Sequence, residues 1–125
     1  MNFLETTTTY SQIVIGTVWV FHGFYSKILN GVPRHHLIVA RILGDRTARW
    51  ATKVIGGLEI ALGIWAFTGF ARWECAAVQT LAIVAMNTLE IIRARDLLIS
   101  ASGMVALNLG FLALVWNWAL HAPAR

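Results

Sequence analysis

Four stretches of this chain are almost free of charge, and each is long enough to cross a lipid bilayer as a helix. Crossing the hydrocarbon core takes about 20 mainly apolar residues. Thr6 to Ser26 carries no charge, Val54 to Ala71 only Glu59, Cys75 to Ile92 only Glu90, and Leu97 to Ala122 none. A soluble domain has about 25% charged residues, whereas 13% are charged here and 58% are hydrophobic. Lipid offers no hydrogen bonds to an open backbone, so apolar runs of this length are expected to be helical. The fold class that follows is all-α: a four-transmembrane-helix bundle in a single unit over 1–125, with spans near 10–29, 52–70, 75–93 and 98–119. The first apolar stretch is expected to be a retained helix. No basic segment precedes it, Glu5 does, and no convincing cleavage site follows.

The links between the spans differ. Phe70 to Glu74 and Arg93 to Asp96 are tight turns, which predicts antiparallel neighbours on either side of each. The link from the first span to the second is longer. Asn30-Gly31 is a helix stop, and Pro33 suits the first turn of a new helix. Leu37, Ile38, Ile42 and Leu43 then interleave with Arg34, His35 and Arg41. The segment 33–44 therefore fits a short amphipathic helix in the headgroup layer; a re-entrant or irregular loop is the alternative.

Eight basic residues, Lys27, Arg34, Arg41, Arg46, Arg49, Lys53, Arg93 and Arg95, lie in or beside two links on one face, against Arg72 and Arg125 on the other. The bias puts those links in the cytoplasm and both termini in the periplasm. Tyr10, Trp73, Trp116 and Trp118 then belong at the outer interface, and Trp50 at the inner one. The net charge of +4 is thus a topological signal, and nucleic acid is not an expected partner.

An acidic or basic group at mid-membrane costs about 2.5–3.5 kcal/mol on insertion scales, so His22, Glu59 and Glu90 need an explanation. At 1.5 Å per residue, His22 and Glu59 each lie roughly 8–9 Å below the inner boundary, and Glu90 about one turn deep on the same side. Three groups on three helices at similar depth can share one site. The candidate ligand-binding residues are His22, Tyr25, Lys27, Glu59, Asn87, Glu90 and Arg93. At helical spacing, His22 shares a face with Tyr25 and Ser26. Gly56 and Gly63 flank Glu59 and allow close helix approach. Plainer readings stand beside these. Glu90 can pair with Arg93 one turn on, Glu59 with Lys27, Lys53 or an arginine, and His22, Asn87 and Asn108 can be interhelical hydrogen-bonding groups. Gln79 is a further polar companion, His35-His36 is better read as headgroup-facing than as a metal pair, and Cys75 as a packing residue.

Self-contained redox chemistry is disfavoured. One cysteine allows neither an internal disulfide nor a thiol relay, and His22 belongs in the inner half and His121 at the outer boundary, so the two cannot hold one haem without another chain. No metal site is expected and the cofactor is left unknown. Catalytic residues are likewise unassigned, because no nucleophile–base motif is present.

Several runs together resemble the DoxX-like family of small bacterial four-helix membrane proteins. They are Phe21-His22-Gly23, Tyr25-Ser26-Lys27, Asn30-Gly31, Pro33-Arg34-His35, Glu59 with Gly63, Gln79-Thr80-Leu81, Met86-Asn87 with Glu90, and Ala94-Arg95-Asp96-Leu97. The resemblance implies an inner-membrane location and, through the quinol-oxidase and thiosulfate:quinone associations of the wider group, a link to quinones. It carries no catalytic assignment onto His22, Glu59 or Glu90. The resulting expectation is an accessory or ligand-holding subunit without independent activity. It would take a quinone, lipid or small polar metabolite and serve a membrane or cytoplasmic oxidoreductase, with the bilayer and other copies of itself as further partners. A small transporter or channel component, or a membrane scaffold, is the alternative.

Overall fold

A computed structural model describes residues 2–122, and every regular element among them is helical. Helix α1 (Phe3–Phe21) runs directly into a π-helical segment, His22–Ile28. Helix α2 is Pro33–Leu43, α3 Asp45–Thr68, α4 Arg72–Arg93 and α5 Ala101–His121, with a short 3-10 turn at Arg95–Leu97 before α5. The segment after Pro33 is thus a helix, with the proline in its first turn and Ile38 and Val39 buried. Helix α3 starts earlier than the apolar run, taking in Asp45, Arg46, Arg49 and Lys53. A single residue, Gly44, separates α2 from α3. Its φ of 91° is a backbone state that side chains disfavour, which lets two helices abut with almost no loop.

Three helices, α3, α4 and α5, are long and apolar enough to cross a membrane. Helix α1 falls short because its first half is Thr6-Thr7-Thr8-Thr9-Tyr10-Ser11-Gln12. Much of that polarity is internally satisfied. The hydroxyls of Thr6, Thr7, Thr8 and Ser11 donate to carbonyls of Asn2, Phe3, Leu4 and Thr7 at 2.8–3.0 Å. The N-terminus is closed by a reciprocal cap in which Glu5 N donates to Asn2 Oδ1 at 2.8 Å and Asn2 N to Glu5 Oε2 at 3.3 Å.

Helix α1 packs between α3 and α5, and α4 packs mainly on α5. The α1–α3 seam is built from glycine. A Cβ on Gly56 would sit 2.6 Å from the Gly23 carbonyl oxygen, and one on Gly63 would sit 2.7 Å from that of Gly16. Gly16 and Gly23, like Gly56 and Gly63, are seven residues apart. Two turns of each antiparallel helix therefore meet glycine to glycine, backbone against backbone, as small residues allow in membranes. The other side of the bundle is held wider by bulk. Trp19 and Trp118 are buried in a core with Ile15, Leu62, Ala66, Cys75, Ala76, Ile83 and Val115. Helices α3 and α4, although joined by a tight turn, pack against each other less than either packs against its other neighbour.

Buried polar groups join the helices. Gln12 Nε2 donates to the Ala66 and Phe67 carbonyls at 2.9 and 2.8 Å. Trp19 Nε1 donates to Gln79 Oε1 at 2.7 Å, and Gln79 Nε2 to Cys75 Sγ at 3.3 Å. Trp116 Nε1 reaches Thr80 Oγ1 at 2.9 Å. Each bond satisfies a group that would otherwise face hydrocarbon.

Candidate functional site

The charged groups converge where α1 turns π-helical. Lys27 Nζ lies 2.7 Å from Glu59 Oε1, with 11% and 6% of the two side chains exposed. The contact is an ion pair whose angle departs from that of a well-directed hydrogen bond. Its assembly is local. The stem of Lys27 passes over Gly56, where a methyl group would lie 3.1 Å from Lys27 Cβ. The bare Gly56 backbone therefore gives the lysine its path toward Glu59, one turn further along α3.

The π-helical winding decides which side chains share this region. A π turn bonds residue i to i+5 and is wider than an α turn, so it alters the faces that α-helical spacing would assign. Ser26 is fully buried, while Tyr25 is 46% exposed and His22 also lies on the outside. The common face expected for His22, Tyr25 and Ser26 is therefore not formed. Tyr25 instead stacks on Phe21, with ring centroids 5.2 Å apart and planes at 26°.

His22 has a different partner. Its ring lies near parallel to that of His35 on α2, at a centroid distance of 6.0 Å and an interplanar angle of 27°. His35 Nδ1 is buried and has no hydrogen-bond partner among the described residues. Burial first, and then the positive charges of Lys27, His22 and Arg34, lower the His35 pKa to about 4. The ring is therefore neutral at physiological pH. Its position was open to sequence reasoning, because His35 lies three and four residues before the buried Ile38 and Val39 and so on their face of α2.

Glu90 of α4 is half-buried, and the charges acting on it are those of Lys27, Arg34 and Glu59. Arg93 is exposed at the end of α4. Asn87 lies outside the cluster. Its Oδ1 accepts from Asn108 Nδ2 at 2.9 Å, so it joins α4 to α5. Of the residues singled out from sequence, the structure gathers Lys27, Glu59, Glu90 and His22. It adds Arg34 and His35, and it leaves Tyr25, Asn87 and Arg93 at the margin or elsewhere.

Two more buried hydroxyls, Ser26 Oγ and Thr52 Oγ1, have no hydrogen-bond partner among the described residues. They lie on the π-helical segment and on α3, which pack together. Unpaired buried polar atoms are uncommon, and here they accompany an acid–base cluster. Among the described residues, no three histidine, cysteine or acidic side chains converge to hold a metal ion. Outside the cluster, Arg41 Nη1 donates to Asp96 Oδ1 at 2.6 Å, tying α2 to the turn before α5.

Comparison with curated proteins and with solved structures gives no match. The model of the DoxX-like family, in contrast, matches residues 16–116. That region holds the π-helical segment, α2, the glycine seam of α3 and all six residues of the charged cluster. With most of its length and its whole polar site inside the match, the chain belongs to the DoxX-like family.

Proposed function

We propose that this protein is a four-span, non-catalytic membrane protein of the bacterial inner membrane that holds a small ligand at the Lys27–Glu59 cluster for a redox or metabolic partner. The fourth span is α1 with its π-helical continuation. Its threonine and serine hydroxyls are returned to its own carbonyls, which removes much of their cost in lipid. The basic bias places the cluster on the cytoplasmic side.

One observation carries the reading. Charged or imidazole groups from four elements (Lys27, Arg34 with His35, Glu59, Glu90) act on one another around the Lys27–Glu59 ion pair, and orphaned polar atoms lie on three of the same elements. Charge inside a bilayer is costly and marks function more often than stability. The buried His35 Nδ1 suits the carbonyl or hydroxyl oxygen of a bound headgroup, including that of a quinone, while the Lys27–Glu59 pair fixes the surrounding backbone.

A scaffold reading is favoured by one fact, the closure of Glu59 onto Lys27. The two separate on a double substitution. Replacing both partners of a buried pair by apolar residues is often neutral for stability, whereas removing one costs about 3–5 kcal/mol. Lys27→Met/Glu59→Met is therefore expected to fold as wild type and to lose the small molecule that accompanies the wild type in native mass spectrometry. Retention of that molecule by the double variant, or a wild type that carries none, would defeat the ligand-holding reading.

A further inference from the structure

A second feature lies on the outer surface of α3, away from the cluster. A groove of about 410 Å³ is lined by Asp45, Arg46, Arg49 and Trp50, in the first two turns of the helix. Neither arginine has an ion-pair partner among the described residues, and the helix start has no side-chain cap. Trp50 is 60% exposed. Because α3 is long and apolar enough to cross a membrane, its charged N-terminal end belongs in a headgroup layer, where tryptophan and arginine are favoured.

Past the exposed Lys53, the surface below the groove is apolar. Val54, Leu58 and Ile64 are exposed, and so are Gly57 and Ala61 between them. A Cβ built on Gly57 meets nothing within 4 Å. In sequence these residues follow Trp50 at three- and four-residue intervals, so they form one stripe descending from the groove. The glycine and alanine leave a shallow trough with branched side chains beside it.

We infer that this face of α3 is a binding site for one anionic phospholipid. Arg46 and Arg49 take the phosphate, Trp50 packs at the glycerol level, and an acyl chain lies in the trough at Gly57 and Ala61. The charge balance favours an anion, since two unpaired guanidiniums face a single carboxylate, Asp45. The trough distinguishes a lipid from a free phosphate, which has no use for an apolar path about three turns long. Guanidinium groups bind phosphate bidentately, which sets this site apart from diffuse attraction to a charged leaflet. The site is separate from the Lys27–Glu59 cluster and does not depend on the role proposed for it.

The test is native mass spectrometry of the full chain released from nanodiscs of equal phosphatidylglycerol and phosphatidylcholine. The wild type is expected to retain phosphatidylglycerol preferentially. Arg46→Gln/Arg49→Gln should reduce that retention by about 30-fold, as expected for two charges acting at an anionic surface. Arg95→Gln, which removes an exposed charge elsewhere, should leave it unchanged. Gly57→Leu, whose Cβ meets nothing within 4 Å, puts a bulky side chain in the trough and should weaken retention with the arginines intact. Equal retention of the two lipids by the wild type would overturn the inference, as would wild-type retention in the double arginine variant. Displacement of the lipid by inorganic phosphate alone would show an ion site instead. A dimer that Gly57→Leu dissociates would show that a second copy covers this face. A matching thermal unfolding profile in detergent checks that each variant is folded.

Discussion

Gly56 and Gly57 are adjacent on α3, yet they should respond to the same substitution in opposite directions. Alanine is better than glycine in a helix interior by roughly 0.5–1 kcal/mol. At Gly57 a new Cβ meets nothing within 4 Å, so Gly57→Ala should gain most of that amount. At Gly56 the same methyl would stand 2.6 Å from the Gly23 carbonyl oxygen, 3.0 Å from Ile28 Cγ1 and 3.1 Å from Lys27 Cβ. The first contact is with backbone and cannot be relieved by a rotamer change, so the seam must open. Overpacking of this kind costs about 1–3 kcal/mol, occasionally more. The two variants should therefore differ by about 1.5–4 kcal/mol, with Gly56→Ala the less stable. Equilibrium unfolding of the detergent-solubilised protein, followed by circular dichroism, measures the difference. Opening the seam at Gly56 should also disturb the Lys27 stem, so a ligand bound at the cluster should be weakened in Gly56→Ala and not in Gly57→Ala. Equal stability of the two variants would refute the backbone-to-backbone seam.

Two further predictions concern pH. The lowered pKa of His35 means that the unfolded ring takes up a proton below about 6.5 while the folded ring resists until about 4. The folded arrangement of α2 should hold full stability above that window and lose it progressively as pH falls through it. A His35→Gln variant should lack this slope, and a His35 resonance titrating near 6.5 in the folded protein would contradict it. On the surface, the hydrogen bond from Arg41 holds Asp96 below its ordinary value of 3.8. That contact should persist at neutral pH and disappear only as acid protonates Asp96. Hydrogen exchange at the α2 C-terminus should speed up in Asp96→Asn already at neutral pH, and no change there would show that the contact does not hold α2.

Position along a helix was legible in the chain because it depends only on the count of residues from the nearest charge. Counting from Lys27 and Lys53 puts His22 and Glu59 within about two turns of the same end of the helices, and Glu59 closes onto Lys27 across the α1–α3 seam. Rotation was harder to read. The wide turn at His22–Ile28 separates Tyr25 and Ser26 onto different faces, and no residue within the segment announces it. Glycine spacing offered more than was taken from it. Gly56 and Gly63 marked a close approach, but the matching pair Gly16 and Gly23 identifies α1 as the partner helix. Asn87 had the composition of a site residue, and only the position of α5 shows that Asn108 already occupies it.

By itself the sequence determined where the chain is apolar enough to exclude water, where helices can start and stop, and how far along each helix the acidic and imidazole groups lie. Those properties follow from local composition and a fixed rise per residue. The tertiary structure decided which helix faces which, and hence that Lys27 rather than Lys53 neutralises Glu59 and that His35 joins His22. Pairing of this kind depends on helix rotation and on which surfaces are flat enough to meet. Both are settled by residues distant in the chain, here four glycines on two helices.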